Sequence, residues 1–213
     1  MNWAVFPIRT HVITENDDIV KLAARYTAGL AEPGDVIAVA ESVVAITQKR
    51  AIPPEAVRPG PAARFLCRFP AKHGSLATPG AMQLAIQEAG LCRILLGCAA
   101  ALGGRLIGKR GYFYLVAGRE LAFIDDIAGT MWPYEKHIIL GPKDPAGVVR
   151  SIREATGAEA VVADVNDLKC VDILAATSPE SERIAKEALV DNPFGNDDQQ
   201  TPIAVIKKVQ ERM

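Results

Sequence analysis

Two kinds of residue pattern in this chain could do chemistry. The first is Gly103-Gly104-Arg105-Leu106-Ile107-Gly108-Lys109-Arg110. It follows the G-x-x-x-x-G-K spacing of loops that cradle phosphate with backbone amides. Arg110 stands where a Ser or Thr hydroxyl would reach a magnesium ion. The residues beyond it, Tyr112-Phe113-Tyr114-Leu115-Val116, read as a strand, whereas such a loop opens a helix. Two readings stay open: a glycine-rich loop whose three cations and amides touch phosphate, or a solvated turn.

The second pattern is acidic. Asp125-Asp126 closes one apolar stretch, and Asp164-Val165-Asn166-Asp167 closes another, Ala160-Val161-Val162-Ala163. Acids at the ends of apolar strands sit where a mixed sheet opens its ligand crevice. Carboxylates with an amide beside them supply the hard oxygens that magnesium or manganese takes, and a cation would relieve their mutual repulsion. The alternative is that each Asp caps the turn or helix that follows it. His11, His73 and His137 are far apart, and none stands in a nucleophile motif with Ser or Cys.

The elements that must position these groups alternate between strand and helix. Trp3 to Ile13 reads as a strand interrupted by Pro7, and Asn16 or Asp17 as the cap of a helix reaching Leu30. Val36 to Ala40, after the Pro33-Gly34-Asp35 turn, is a buried strand. Residues 62–72 and 79–103 read as helices, the second broken near Gly90. Tyr112–Ala117 and Leu121–Ile124, with Gly118 between them, read as a hairpin. A strand at 137–140 and a helix from Asp144-Pro145 to Thr156 follow. Then come a buried strand at 159–163, a polar loop at 164–170, a helix at 180–190 and a strand at 202–207. The chain is mixed α and β.

Composition narrows the function classes. The 213 residues carry a net charge of −1, which leaves no footprint for nucleic acid. The charge is uneven: residues 51–120 hold 9 basic and 3 acidic side chains, residues 121–213 hold 10 and 16. A basic middle beside acidic groups fits a cleft holding an anionic ligand and a cation, or two halves that attract one another. The longest uncharged apolar run, Ile94 to Gly104, spans 11 residues, against the ~18 needed to cross a bilayer. With no secretory signal pattern after Met1, the expectation is a cytoplasmic protein without a membrane partner. Cys67, Cys92, Cys98 and Cys170 show no C-x-x-C pair and read as free thiols.

The order of segments resembles the family of the ligase that adds glutamate to coenzyme F420, the deazaflavin redox cofactor. Its carriers are Pro7-Ile8-Arg9 leading to Asp17-Asp18, and Pro33-Gly34-Asp35 running through to Ala40-Glu41. The Asp126 loop with Leu140-Gly141-Pro142-Lys143-Asp144-Pro145, then Val161-Val162-Ala163-Asp164 and Thr201 to Ile206, complete the pattern. The resemblance implies an α+β mixed-sheet fold with two interleaved subdomains, about 1–60 with 120–213 and about 61–119, and a homodimer. It implies a nucleotide- and metal-dependent amide-bond ligase that adds an amino acid to a carboxylate substrate through an acyl phosphate. GTP is then the co-substrate, and Mg or Mn the ion. Carried over by position, Asp126, Asp164, Asp167 and Asn166 are the metal candidates, and Lys109, Arg110 and Gly111 the nucleotide-binding ones. The family's Gln-Lys pair after the first buried strand is Glu41-Ser42 here, and its Thr-Asp-Thr-Phe-Gly-Arg stretch is Ala163 to Leu168. These departures keep an alternative open: a catalytically inactive relative that binds a small anionic metabolite or a protein partner.

Overall fold

The computed structural model describes residues 3–70, 76–109, 111–125, 132–166, 168–195 and 199–209. Along the first part of the chain lie β1 (Trp3–Ile8), α1 (Ile19–Thr27), β2 (Val36–Ala40), α2 (Glu41–Thr47), β3 (Ala51–Ile52), α3 (Pro61–Leu66), α4 (Pro79–Ala89) and α5 (Leu91–Leu106). Then come α6 (Tyr112–Ala117), β4 (Ile138–Ile139), α7 (Pro145–Thr156), β5 (Glu159–Val165), β6 (Val171–Ala176), α8 (Pro179–Ala188) and β7 (Ile203–Lys208). The fold is α+β, and the chain divides into two compact units, Met1–Lys49 with Pro142–Met213, and Arg50–Gly141.

The first unit holds a mixed sheet in the order β1-β7-β2-β5-β6. Only β2 and β5 run parallel; the remaining pairs are antiparallel. Side chains alternate across a strand, so Ile37 and Val39 of β2 pack with Leu22 of α1 and Ile152 of α7. Val36 and Ala38 point the other way, toward Ile184 and Leu189 around α8. Burial on both faces is why β2 and the Ala160–Ala163 stretch of β5 are unbroken apolar runs with no polar alternation. β1 lies at the edge and ends at Ile8, short of the expected Ile13. Its Pro7, opposite Ala204, brings no amide to the ladder, which an edge strand tolerates.

Three helix starts in this unit, those of α1, α7 and α8, carry a side-chain cap, whereas α2 follows Ala40 without one. Asp18, not Asn16 or Asp17, caps α1: its Oδ1 accepts from the amides of Val20 at 3.0 Å and Lys21 at 3.2 Å. Asp17 instead accepts from the Thr14 amide at 2.8 Å and lies 3.1 Å from His11 Nε2. Burial works against its charge, but these hydrogen bonds win and hold its carboxyl below the usual range. Asp144, at φ +43°, caps α7 by accepting from the Gly147 amide at 2.9 Å.

The second unit is helical around its own core, with Leu66, Met82, Ile94, Leu121 and Ile138 buried together. The expected break at Gly90 is present: φ there is +83°, and α4 and α5 meet at a 110° bend. No single helix among the described residues is long and apolar enough to cross a membrane. The expected hairpin over 112–124 does not form. Tyr112–Ala117 is helix α6, and Arg119–Phe123 is a 3-10 turn. The aromatic and β-branched residues of 112–117 favour a strand, but tertiary packing overrides that preference. α5 presents bare backbone at Gly97 and Gly104, and a methyl group there would stand 2.8 Å from Ala117 and from Tyr112. Leu121 and Ile124 are both buried, a spacing of three that suits a tight helical turn.

Candidate functional site

In the first unit, the acids gather at one edge of the sheet because β2 and β5 are parallel. Ala40 lies level with Ala163, so the chain leaves both strands on the same side, with Glu41 after one and Asp164 near the end of the other. Glu41 is buried in the first turn of α2, where the helix dipole favours a carboxylate. β6 returns antiparallel to β5, and a bulge after Val162 sets Asp172 directly opposite Asp164. Like charges facing one another across a ladder are unfavourable. Both side chains reach solvent. Even so, the protein packed around Asp164 and then the charge of Asp172 push its carboxyl above the usual range.

Two opposed carboxylates are a donor set that a hard divalent cation satisfies. Asn166 is engaged within its own loop. Its Oδ1 accepts from the amides of Leu168 at 3.0 Å and Cys170 at 3.2 Å, closing the turn between β5 and β6. Asp126 and Asp167 lie outside the described residues. Among the described residues, no three His, Cys, Asp or Glu side chains converge as a cation site. Asp172 was missed by sequence reasoning because β6 was not read as a strand. Its signal was Val171 and Ile173 flanking one acid, a short period-two pattern.

In the second unit, the glycine-rich stretch is the end of a helix and not the start of one. Gly103 and Gly104 lie inside α5. The amides of Ile107 and Lys109 donate to the Gly104 carbonyl at 3.2 and 2.8 Å, and the Gly108 amide donates to Arg105 at 3.2 Å. Three amides that would cradle a phosphate are therefore spent on the last carbonyls of α5, the negative end of its dipole. Lys109 is exposed, and Gly111 takes φ +89° to lead into α6. Arg110, between them, lies outside the described residues.

Among the described residues of the second unit, two buried polar atoms carry no partner. His137 closes a turn, its amide donating to the Tyr134 carbonyl at 2.9 Å, and its ring stands edge-on to Tyr134 at 5.2 Å. His137 Nδ1 and Glu135 Oε2 are buried without a hydrogen-bond partner. The turn feeds β4, whose Ile139 exchanges two backbone hydrogen bonds, of 2.8 and 2.9 Å, with Asp125, the residue before Asp126. Buried unpaired oxygen and nitrogen atoms call for a bound ion, water or substrate group. Sequence reasoning set His137 aside for want of a nucleophile beside it.

The comparisons with known proteins bear on both units. Curated proteins give no match. The profile of the F420-0:Gamma-glutamyl ligase family matches residues 7–165, from the end of β1 to the last residue of β5. That span takes in the glycine-rich stretch, the Glu135–His137 turn and Asp164. With three quarters of its length inside the match, the chain belongs to the F420-0:gamma-glutamyl ligase family.

Proposed function

We propose that the protein is a cytoplasmic, nucleotide- and metal-dependent ligase that adds an amino acid to a carboxylate substrate. The carboxylate takes the terminal phosphoryl group of GTP, giving GDP and an acyl phosphate. The amine of the amino acid then displaces phosphate and forms the amide. The observation that carries this reading is Asp164, which stands at the end of the matched span, facing Asp172, with its carboxyl pushed upward. Asp164 with Asp167 in the first unit, and Asp126 separately in the second, would be the acids that hold Mg or Mn; such an ion neutralises the phosphates and holds them in line. Lys109, Arg110 and Gly111, in a unit that carries 11 basic and 6 acidic side chains, would bind the nucleotide phosphates.

Thermal unfolding with manganese tests this, with GTP and ATP added separately against metal alone. A nucleotide at 100 times its Kd should stabilise the protein by roughly 2.7 kcal/mol, a rise of several degrees. That rise should need the metal, and Asp164→Asn should abolish it. No shift with either nucleotide rejects the ligase reading.

A second reading is an inactive relative that keeps the fold to bind a small anionic metabolite or a protein partner. The engaged Asn166 oxygen and the three engaged amides at residues 107–109 favour it. It expects small anions to stabilise the protein without metal, with Asp164→Asn leaving that effect intact.

A further inference from the structure

The turn before β4 holds two demands that no described residue meets. It closes on the hydrogen bond from the His137 amide to the Tyr134 carbonyl, which places Glu135 and His137 two residues apart in one turn. Ile138, Ile139 and Leu140, which follow, are buried, and the buried Tyr134 meets the His137 ring edge-on with the planes at 69°. The backbone of His137 is thus fixed by its neighbours and its ring by Tyr134. Both Glu135 and His137 are half-buried, yet Glu135 Oε2 and His137 Nδ1 are shut from water and bond to nothing, each other included. Lys136, the amine between them in sequence, is exposed. A carboxylate oxygen withdrawn from water without a donor costs free energy. A ring proton on Nδ1 would have a ready acceptor in that oxygen; unbonded, Nδ1 is a second acceptor, with the proton on Nε2. Two acceptors, one of them charged, call for a cationic donor. A metal ion answers poorly, because among the described residues no group of three His, Cys, Asp or Glu converges, and zinc sites take three or four protein ligands. Water has the hydrogens but not the charge. A primary ammonium has three N–H donors and the charge as well.

We propose that Glu135 and His137 seat the ammonium group of the amino acid, with His137 Nδ1 as the base that takes its proton. The identity of the ligand rests on the ligase reading, which this inference deepens. Glu135 Oε2 accepts one N–H and His137 Nδ1 accepts another. An ammonium has no lone pair and cannot attack a carbonyl. One proton passes from its nitrogen to Nδ1, leaving an imidazolium beside the Glu135 carboxylate. The freed lone pair forms the C–N bond at the acyl carbon. The C–O bond to phosphate breaks with its electrons on the phosphate, which carries off the next proton of the nitrogen. The turn leads into β4, whose Ile139 bonds to Asp125, so the seat belongs to the same unit as Asp126.

Nitrogen NMR of the histidine rings tests this on the full chain, free of metal and nucleotide. The probes are L-glutamate, L-alanine and glycine, set against glutarate, which lacks the amine. The chain has three histidines, and His11, whose ring already bonds to Tyr26 and Asp17, is the internal control. His137 should hold its proton on Nε2, and its Nδ1 signal should move with an amino acid and stay with glutarate, while His11 stays with both. Glu135→Gln, which keeps the size of the side chain, should weaken amino-acid binding by roughly 10-fold or more. In turnover with GTP it should raise the KM for the amino acid by a similar factor, and His137→Gln should lower kcat by on the order of 100-fold. The ring signals of the parent chain do not depend on either variant folding. An Nδ1 that ignores every amine, answers glutarate equally or carries the proton in the free chain overturns the proposal. A response to manganese alone also overturns it and gives the pair to a metal ion. An amine response without any nucleotide-dependent thermal shift rejects the ligase reading and leaves the ammonium seat standing; the reverse result rejects the seat alone.

Discussion

The two units reach a buried core by means that differ in one respect. In the sheet unit, bulk does the work: aliphatic side chains fill both faces of β2, β5 and β7, and the helices lie on them. In the helical unit, large side chains such as Leu66, Met82 and Ile94 are buried too, but the absence of bulk at glycines lets the elements meet. A methyl group at Gly80, Gly97, Gly104 or Gly141 would stand within 2.9 Å of a neighbouring side-chain or backbone atom. Their charges differ as well, 13 basic and 19 acidic in the sheet unit against 11 and 6 in the helical one. A core built on bulk can be read from residue types. One built on close approach can be read only once it is known which backbones meet.

The comparison makes unequal demands on single substitutions. Ile152→Ala, fully buried among Leu22, Ile37 and Val162, should cost about 2–5 kcal/mol in denaturant unfolding, the scale of a cavity in a filled core. A loss under ~1 kcal/mol would mean that the sheet unit does not depend on bulk. Gly97→Val makes the reverse error, driving a side chain into Ala117 and Phe113. Overpacking of this kind costs about 1–3 kcal/mol, and amide exchange should report it as lost protection in α5 and α6. If α6 keeps its protection, close approach is not what holds it.

Asp164→Asn is the smallest effect and the one that joins stability to the site. Its carboxyl is raised by burial and then by Asp172, so below the ordinary carboxylate range the native and unfolded states are both protonated and nothing is lost. As the pH climbs from there through the raised native value, the native state gives up its proton later than the unfolded state, and stability falls. The asparagine variant should therefore be the more stable protein at neutral pH, by roughly 0.5 kcal/mol for an exposed pair of like charges. The gain should vanish in acid. A variant less stable than the parent at neutral pH would mean that the carboxylate is held by a partner and not strained by Asp172.

How much of this was legible in the sequence follows the same division. β2 could be read because Val36 to Ala40 is one aliphatic run behind a Pro-Gly-Asp turn, and α7 because Asp144-Pro145 is a start signal with Gly157 as its stop. α6 could not. Nothing within Tyr112–Ala117 announces a helix; the cause lies in Gly97 and Gly104, in another element. β6 was lost for a third reason: it is an edge strand with a single acid, so its period-two signal spans only Val171 to Ile173. Missing β6 also concealed Asp172, so the sequence suggested acids near Asp164 without showing which one faces it. The glycine-rich stretch matched a phosphate loop in composition, but its amides had already been claimed by the end of α5.

The place of β7 bears on the order in which the molecule can be made. It lies between β1 and β2, the two strands nearest the start of the chain, and pairs with both. Until residue 208 has been synthesised, these two early strands have no common neighbour, and their facing edges stay open while the whole of Arg50–Gly141 is produced between them and β5. Assembly of the sheet therefore waits on the last strand and closes by contacts very distant along the chain, the slow kind of folding step. During that wait the exposed strand edges are open to unwanted pairing, and Pro7 in β1 withholds one of the amides that such pairing would use.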